Sequence, residues 1–319
     1  MKRIISLIIA AVMLTAVCLC ASSCAKSDGK YRIGIVQLIT HDALDAATEG
    51  FKAAVIDNLG AENVVFDLQN ASGDTAQCAT IVNSFVNDKV DLIMANATPA
   101  LQAAYNATKK IPILGTSVTE YGVALGIENF NGVVGSNVSG TSDLAPLSEQ
   151  ADMILELFPE AKTAGLIYCN AEPNSAYQVK EVTKFLEAKG VSCTSYSFSD
   201  SNDIAALTNR AVAECDVIYV PTDNTVANSG AIIGNIVREA KKPVIAGEEG
   251  ICAKCGVATL SISYYDLGYK TGEMAAQILK GEAKIEEMPI AYAPAVKKYN
   301  KDMADALGIT LPEAYAEIK

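Results

Sequence analysis

Tryptophan is absent from the 319 residues and histidine occurs once, at His41. With a single histidine, any Ser–His or Cys–His arrangement must use His41, and nothing near it in sequence completes one. No nucleophile elbow, phosphate loop, Gly-rich dinucleotide turn or zinc-protease helix occurs either. Catalysis is not expected, nor a cofactor or metal. Basic residues are the minority, 25 Lys and Arg against 37 Asp and Glu, for a net charge of −12. Such a surface repels phosphate backbones, which argues against nucleic acid, and offers no polybasic patch to anionic lipid. Long apolar runs are missing beyond residue 19.

The one long run is at the start. Lys2 and Arg3 precede Ile4 to Leu19, and Ala21-Ser-Ser-Cys24 follows, the order of a secretory signal. The run, about 16 residues, is short for a spanning helix. Small residues directly before Cys24 resemble a bacterial lipobox, making 1–23 a leader and Cys24 a lipidated N-terminus. Ala21 stands where leucine is commoner, so ordinary secretion with cleavage near Ala21 is the alternative. Cys20, behind bulky Leu19, is a poorer one. Cleavage would leave 23 basic and 37 acidic residues, a net −14. Membrane attachment would then rest on acyl chains, with residues 24–30 as a polar tether. Of the remaining cysteines, Cys169 and Cys215 sit in apolar runs, whereas Cys78 and Cys193 are scattered. Cys252 and Cys255 form the one close pair. A metal site would need further ligands, so the pair reads as surface thiols or a vicinal disulfide in a loop.

The body of the chain repeats itself. Gly34-Ile-Val-Gln and Gly165-Leu-Ile-Tyr each open a strand–helix unit, and Gly34/Gly165 and Pro112/Pro243 share an offset of 131 residues. Asp91-Leu-Ile-Met parallels Asp216-Val-Ile-Tyr. Short apolar runs at 32–38, 64–68, 92–95, 112–114, 163–169, 192–198, 217–220, 243–246 and 257–262 read as strands covered on both faces. Between them, apolar residues at three- and four-residue spacing, such as Leu44, Ala47, Phe51, Val55 and Leu59, read as helices. Asp74, Asp143, Asn174, Asp203 and Asn224 suit N-caps, and Gly60 and Gly190 suit helix stops. The pattern predicts an α/β fold of two doubly wound parallel-sheet lobes, with a cleft between them where a small ligand binds. A further helix near 264–281 and a strand-like 288–292 follow the second unit, and could return to the first lobe.

Across its mature length the chain resembles bacterial ABC-transporter substrate-binding lipoproteins of the type I periplasmic-binding fold. Within them it looks most like members that bind tryptophan, phenylalanine or tyrosine. The residues that carry this are Ile33–Gln37, His41–Gly50, Gln69–Asp74, Ala95–Ala100, Gly140–Asp143, Ala171–Ser175, Pro221–Asn224, Gly247–Gly250 and Ser263–Gly268. The resemblance implies a three-segment hinge, near 136–140, 258–263 and 284–290. One lobe would comprise 31–137 plus 262–284, the other 138–261 plus 285–319. It also implies a monomer, lipid-anchored on the extracytoplasmic face of the cell membrane, that delivers its ligand to an ABC permease. The Cys252/Cys255 pair departs from the family pattern.

Ligands of open α/β sheets sit beyond the carboxyl ends of the strands, at helix N-termini. That places Thr40, Thr98, Pro99 and Ala100 in the first lobe and Asn174, Ser175, Asp223, Asn224 and Glu248 in the second. An α-amino acid needs its carboxylate met by helix N-termini and hydroxyls, for which Thr98, Ser142, Asn174 and Ser175 are candidates. Its ammonium needs a carboxylate from Asp223, Glu248 or Asp143. An aromatic side chain would want tyrosines, among Tyr121, Tyr177, Tyr264 and Tyr265, because there is no Trp. Asp143, Asn174 and Asn224 could equally be plain N-caps. An amino acid is the expected ligand, an aromatic one first. A sugar or nucleoside, or a surface-anchored sensor or interaction role without transport, is the alternative.

Overall fold

The computed structural model describes residues 29–318; the leader and Cys24 lie outside them. Two twisted sheets organise the chain. The first contains β1 (Tyr31–Gln37), β2 (Val64–Asn70), β3 (Leu92–Asn96), β4 (Ile113–Val118), β5 (Val138–Ser142) and β11 (Ala291–Tyr292). Its order is β11-β5-β4-β3-β1-β2. The second contains β6 (Thr163–Cys169), β7 (Ser192–Phe198), β8 (Val217–Val220), β9 (Val244–Ala246), β10 (Ala258–Ser261), β12 (Val296–Tyr299) and β13 (Ala316–Glu317). Its order is β13-β12-β10-β9-β8-β6-β7. The core orders β2-β1-β3-β4-β5 and β7-β6-β8-β9-β10 are the same arrangement used twice, all parallel.

The repeat seen in sequence is thus a repeat of topology. Gly34 lies between Asp67 and Ile93, and Gly165 between Thr194 and Ile218, on the strand next to the edge in each lobe. A Cβ on Gly34 would stand 2.6 Å from the Phe85 ring, and one on Gly165 3.1 Å from the Tyr196 ring. The glycines recur because an aromatic ring packs over the strand there. Both faces of each sheet are buried, as the continuous apolar runs require: Leu92 and Met94 join one cluster while Ile93 and Ala95 join another. Each such side chain, fully buried, contributes about 1.5–3 kcal/mol.

In the first lobe run α1 (Asp42–Leu59), α2 (Thr75–Asn87), α3 (Thr98–Ala107) and α4 (Tyr121–Leu125). The second holds α5 (Leu147–Leu157), α6 (Pro173–Ala188), α7 (Ile204–Glu214), α8 (Asn224–Glu239) and α9 (Glu249–Cys255), and later α11 (Lys301–Leu307). Helix α10 (Tyr264–Leu279) returns to the first lobe and lies backbone-close along α1. A Cβ on Gly268 would stand 1.9 Å from the Ala47 carbonyl oxygen, and one on Gly50 2.1 Å from that of Tyr265. Only glycine permits that approach.

The chain therefore passes between lobes three times, at 143–146, 262–263 and 293–295. Two of these differ from the expected 136–140 and 284–290, and from lobe boundaries at 137/138 and 284/285. β5 was not foreseen as a strand because Val-Ser-Gly-Thr-Ser carries no apolar run. It is nonetheless fully buried, with the Thr141 hydroxyl hydrogen-bonded to those of Thr116 (3.2 Å) and Thr271 (2.8 Å). β11 likewise keeps the chain in the first sheet to Tyr292. The cysteine pair is also corrected. Cys252 and Cys255 are free thiols fully buried in α9, and burial pushes the Cys255 thiol up to about 12. They are inert packing groups rather than surface thiols.

Candidate functional site

The carboxyl ends of the two sheets face each other, and their turns enclose a small polar cavity between the lobes. His41, Leu44, Ser117, Thr119 and Tyr264 line it from the first lobe, Asp143 from a hinge passage. The second lobe adds Asn174, Thr222, Asp223, Asn224, Ala227 and Glu248. The space is about 10 Å³, room for roughly one water, against some 300–1,000 Å³ for ligand pockets. It adjoins a space of about 140 Å³ that shares Asn224, and one of about 390 Å³ that shares Glu248 and Tyr264. A ligand can reach the polar centre only if the lobes part.

Capping decides which polar groups remain available. Asp223 caps α8, accepting from Val226 N–H at 2.9 Å, and its other oxygen accepts from Cys169 N–H at 2.7 Å. Glu172 closes the same helix, accepting from the N–H groups of Asn224 (3.1 Å) and Thr225 (2.9 Å). Burial, and then the neighbouring Glu172 charge, drive the Asp223 carboxyl well above the usual range. Glu248 caps α9 through Gly250 N–H (2.6 Å) and Ile251 N–H, and burial pushes it up to about 7. These three carboxylates are spent on helix ends.

Asp143 and Asn174 are not. Both suited N-caps in sequence, yet α5 starts at Leu147 behind Pro146, and α6 is headed by Glu172. Asp143 Oδ2 accepts from the Tyr264 hydroxyl at 3.0 Å, while Oδ1 is buried with no hydrogen-bond partner. Burial raises the Asp143 carboxyl, and the hydroxyls of Thr119 and Tyr264 pull it back. The Asn174 amide nitrogen is surrounded by acceptors, Glu172 Oε2 and Thr222 O at 3.2 Å and Ser175 Oγ at 3.3 Å, which fixes the amide's orientation. Asn174 Oδ1 then faces the cavity unpartnered. Ser117 Oγ is a third such atom, on a residue held at φ +54 where β4 breaks register. Native interiors leave few polar atoms unpaired, and strained backbone gathers at sites of function.

One side-chain bridge spans the cleft. Asn224 donates to Glu172 Oε2 at 2.6 Å, leaving its Oδ1 to accept from His41 Nε2 at 3.2 Å. Burial lowers the His41 pKa, against the opposing Asn224 hydrogen bond.

Of the residues expected in the site, Asp143, Asn174, Asp223, Asn224, Glu248 and Tyr264 line the cavity. Pro99 borders the adjoining 140 Å³ space instead. Thr40 does not belong: it is exposed on an outer groove and accepts from Asn70 at 3.0 Å. Ala100 is core, and Thr98 is buried at the head of α3 without lining the cavity. The Ser142 hydroxyl donates to Thr119 O at 2.8 Å and that of Ser175 to Thr222 O at 3.3 Å, both as braces for turns. Tyr121 is buried and donates to Thr141 O at 3.0 Å, while Tyr265 is exposed beside Tyr269. Sequence reading missed Ser117, Thr119, Leu44 and Ala227. Leu44 stands in the His41–Gly50 stretch, but as an apolar helix position; Ser117, Thr119 and Ala227 stand in no motif, and Ser117 falls where β4 breaks register.

Residues 32–317 match the family model described as ABC transporter substrate binding protein. The tyrosine-binding protein of Clostridioides difficile (strain R20291) is 36% identical over 308 residues, covering 91% of this chain and 87% of that one. The chain belongs to the ABC transporter substrate-binding proteins. It has the type I periplasmic-binding fold. Two solved relatives bear on its conformation. An L-Trp complex from Streptococcus pneumonia, 31% identical, superposes with a TM-score of 0.84 over 89% of this chain and 97% of that one. The ligand-free, open structure of a substrate-binding protein with adhesive properties from Clostridium difficile is 40% identical. It superposes at only 0.71, over 91% and 99%. The nearer sequence is the poorer fit in shape, so the lobes of this substrate-binding protein stand closer to the liganded arrangement than to the open one. That agrees with the nearly closed central cavity. No helix among the described residues is long and apolar enough to cross a membrane.

Proposed function

We propose that this substrate-binding protein captures a free α-amino acid with an aromatic side chain, by closure of the two lobes, and presents it to an ABC permease. The observation that carries the reading is a trio of buried atoms without partners on residues that line the cavity: Asp143 Oδ1, Asn174 Oδ1 and Ser117 Oγ. A carboxylate and an amide oxygen accept from an ammonium. The Ser117 hydroxyl donates to the carboxylate. The side chain runs along the Tyr264 ring into the adjoining space with Ile262, Ala43 and Ala46. Relatives that bind tryptophan and tyrosine support the aromatic choice. Only contacts made to both lobes favour closure, and these three atoms come from the first lobe, the hinge and the second lobe.

Calorimetric titration with each of the twenty amino acids tests this. One aromatic member should bind at about micromolar strength, roughly −8 kcal/mol. Failure of all twenty, with a sugar or nucleoside binding instead, would remove the reading. The adhesive relative supports a second one, a surface-anchored interaction protein, and absence of any small ligand would favour it. Anchoring through a lipidated Cys24, on a monomer at the extracytoplasmic face, is part of the proposal. Cys24→Ser should move the protein from the membrane fraction to the medium, and continued retention would refute the anchor.

A further inference from the structure

Two of the three interlobe passages meet in one hydrogen bond. Asp143 is the first residue after β5, where the chain leaves the first lobe, and Tyr264 opens α10, where it has just come back. The Tyr264 hydroxyl donates to Asp143 Oδ2 at 3.0 Å, and both residues are buried. Tyr264 is in turn fixed from behind, since α10 lies against α1 through Gly268 and its ring packs with Ala43, Ala47 and Leu267. A rigid donor therefore holds one oxygen of a carboxylate whose other oxygen faces the cavity unpartnered.

We propose that Tyr264 is a positioning residue: its hydroxyl keeps Asp143 ionised and aims Oδ1 at the ligand's ammonium, so the charge that reads the ligand is held by the hinge itself. This rests on the amino-acid reading above. A hydrogen bond to the charged form of a buried acid favours that form, and a bond to Oδ2 leaves Oδ1 free. The phenol is suited to this because burial, then the Asp143 charge, keep it protonated far into the alkaline range.

The titratable groups around Asp143 are Tyr264 on α10, Tyr121 on α4 and Glu248 at the head of α9. His41 and Asp223 lie further round the cavity, with Glu172 beside Asp223 and the Lys254 charge acting on Glu248 and His41. Glu248, pushed up to about 7, shares the cavity, so the test is a difference between two proteins. Tyr264→Phe keeps the ring and removes the hydroxyl. Affinity for the amino acid that the wild type binds would be measured from pH 5 to 8.5. Losing a hydrogen bond to the charged form moves the acid upward, so affinity should fall roughly tenfold at the acid end and much less at the alkaline end. The acid limb of the profile should move to higher pH. An equal loss at every pH means a structural role only, and an unchanged profile means no role; either overturns the proposal while leaving the amino-acid reading intact. If the wild type binds no amino acid, that reading itself has failed. Should Tyr264→Phe not fold, the ¹³Cζ signal of Tyr264 in wild-type protein serves. It should titrate with the midpoint of the acid limb, and a flat signal would overturn the proposal.

Discussion

Asp143→Asn should separate ligand binding from stability, moving them in opposite directions. The substitution keeps the side chain's shape and removes the negative charge. Oδ1 makes no well-formed hydrogen bond, the Thr119 hydroxyl being its neighbour, and the Tyr264 hydroxyl can still donate to the amide oxygen. A buried ammonium left without its carboxylate typically costs 2–5 kcal/mol. Taking about 3 kcal/mol, affinity should fall roughly 150-fold, from micromolar towards sub-millimolar. Stability runs the other way. Burial raises the Asp143 carboxyl in the folded protein. A raised value means that the group's contribution to stability is complete below its unfolded pKa and is lost as pH rises through the folded one. As pH rises through the folded value the wild type incurs that loss and the neutral variant does not. Calorimetric titration should show the weakened binding, and differential scanning calorimetry without ligand should show a melting temperature at or above wild type. Binding unchanged within twofold would remove Asp143 from the site. A melting temperature several degrees lower would make it a structural group and sink the argument.

Gly268→Ala would normally help a helix by up to about 1 kcal/mol. Here the new methyl would meet the Ala47 carbonyl at 1.9 Å, so α10 must move off α1 at a net cost of about 1–3 kcal/mol. The melting temperature should drop by several degrees, and an unchanged or raised value would contradict the close packing. Glu248→Gln tests the acid at the head of α9. With the carboxyl pushed up to about 7, its favourable contribution is present below about 4.5 and lost as pH rises through 7. Wild type should therefore lose stability relative to Glu248→Gln between pH 5 and 8, by up to about 3 kcal/mol. Parallel curves for the two proteins in urea titrations across that range would refute it.

The sheets were legible because strands buried on both faces must be continuously apolar, and nearly every such run became a strand within a residue or two. β5, which like the short β12 and β13 was not among the expected strands, shows the limit of that logic. Its burial is served by glycine and by threonines hydrogen-bonded to other buried threonines, so hydrophobicity does not reveal it. Missing it misplaced the first hinge passage, and with it the status of Asp143. Asp74 and Asp203 head their helices and Gly60 stops α1 as expected, but Asp143, Asn174 and Asn224 failed as caps for a related reason. A cap is a matter of which residue's side chain reaches which N–H, and a shift of one or two positions turns a cap into a free group. Asn174 and Asn224 lie one or two residues inside their helices, behind Glu172 and Asp223.

By itself, then, the chain's order of residues determined that there are two like α/β lobes with a cleft between them, because repeat, periodicity and the paired glycines are local properties. What only the folded arrangement decided is which polar atoms are left over. Glu172, Asp223 and Glu248 are absorbed by helix ends, while Asp143, Asn174 and Ser117 are not, and this depends on contacts between residues as much as 121 positions apart in sequence, as between Asp143 and Tyr264. Hydrogen bonding is satisfied pair by pair in three dimensions, so no list of residue types can say which partner goes without.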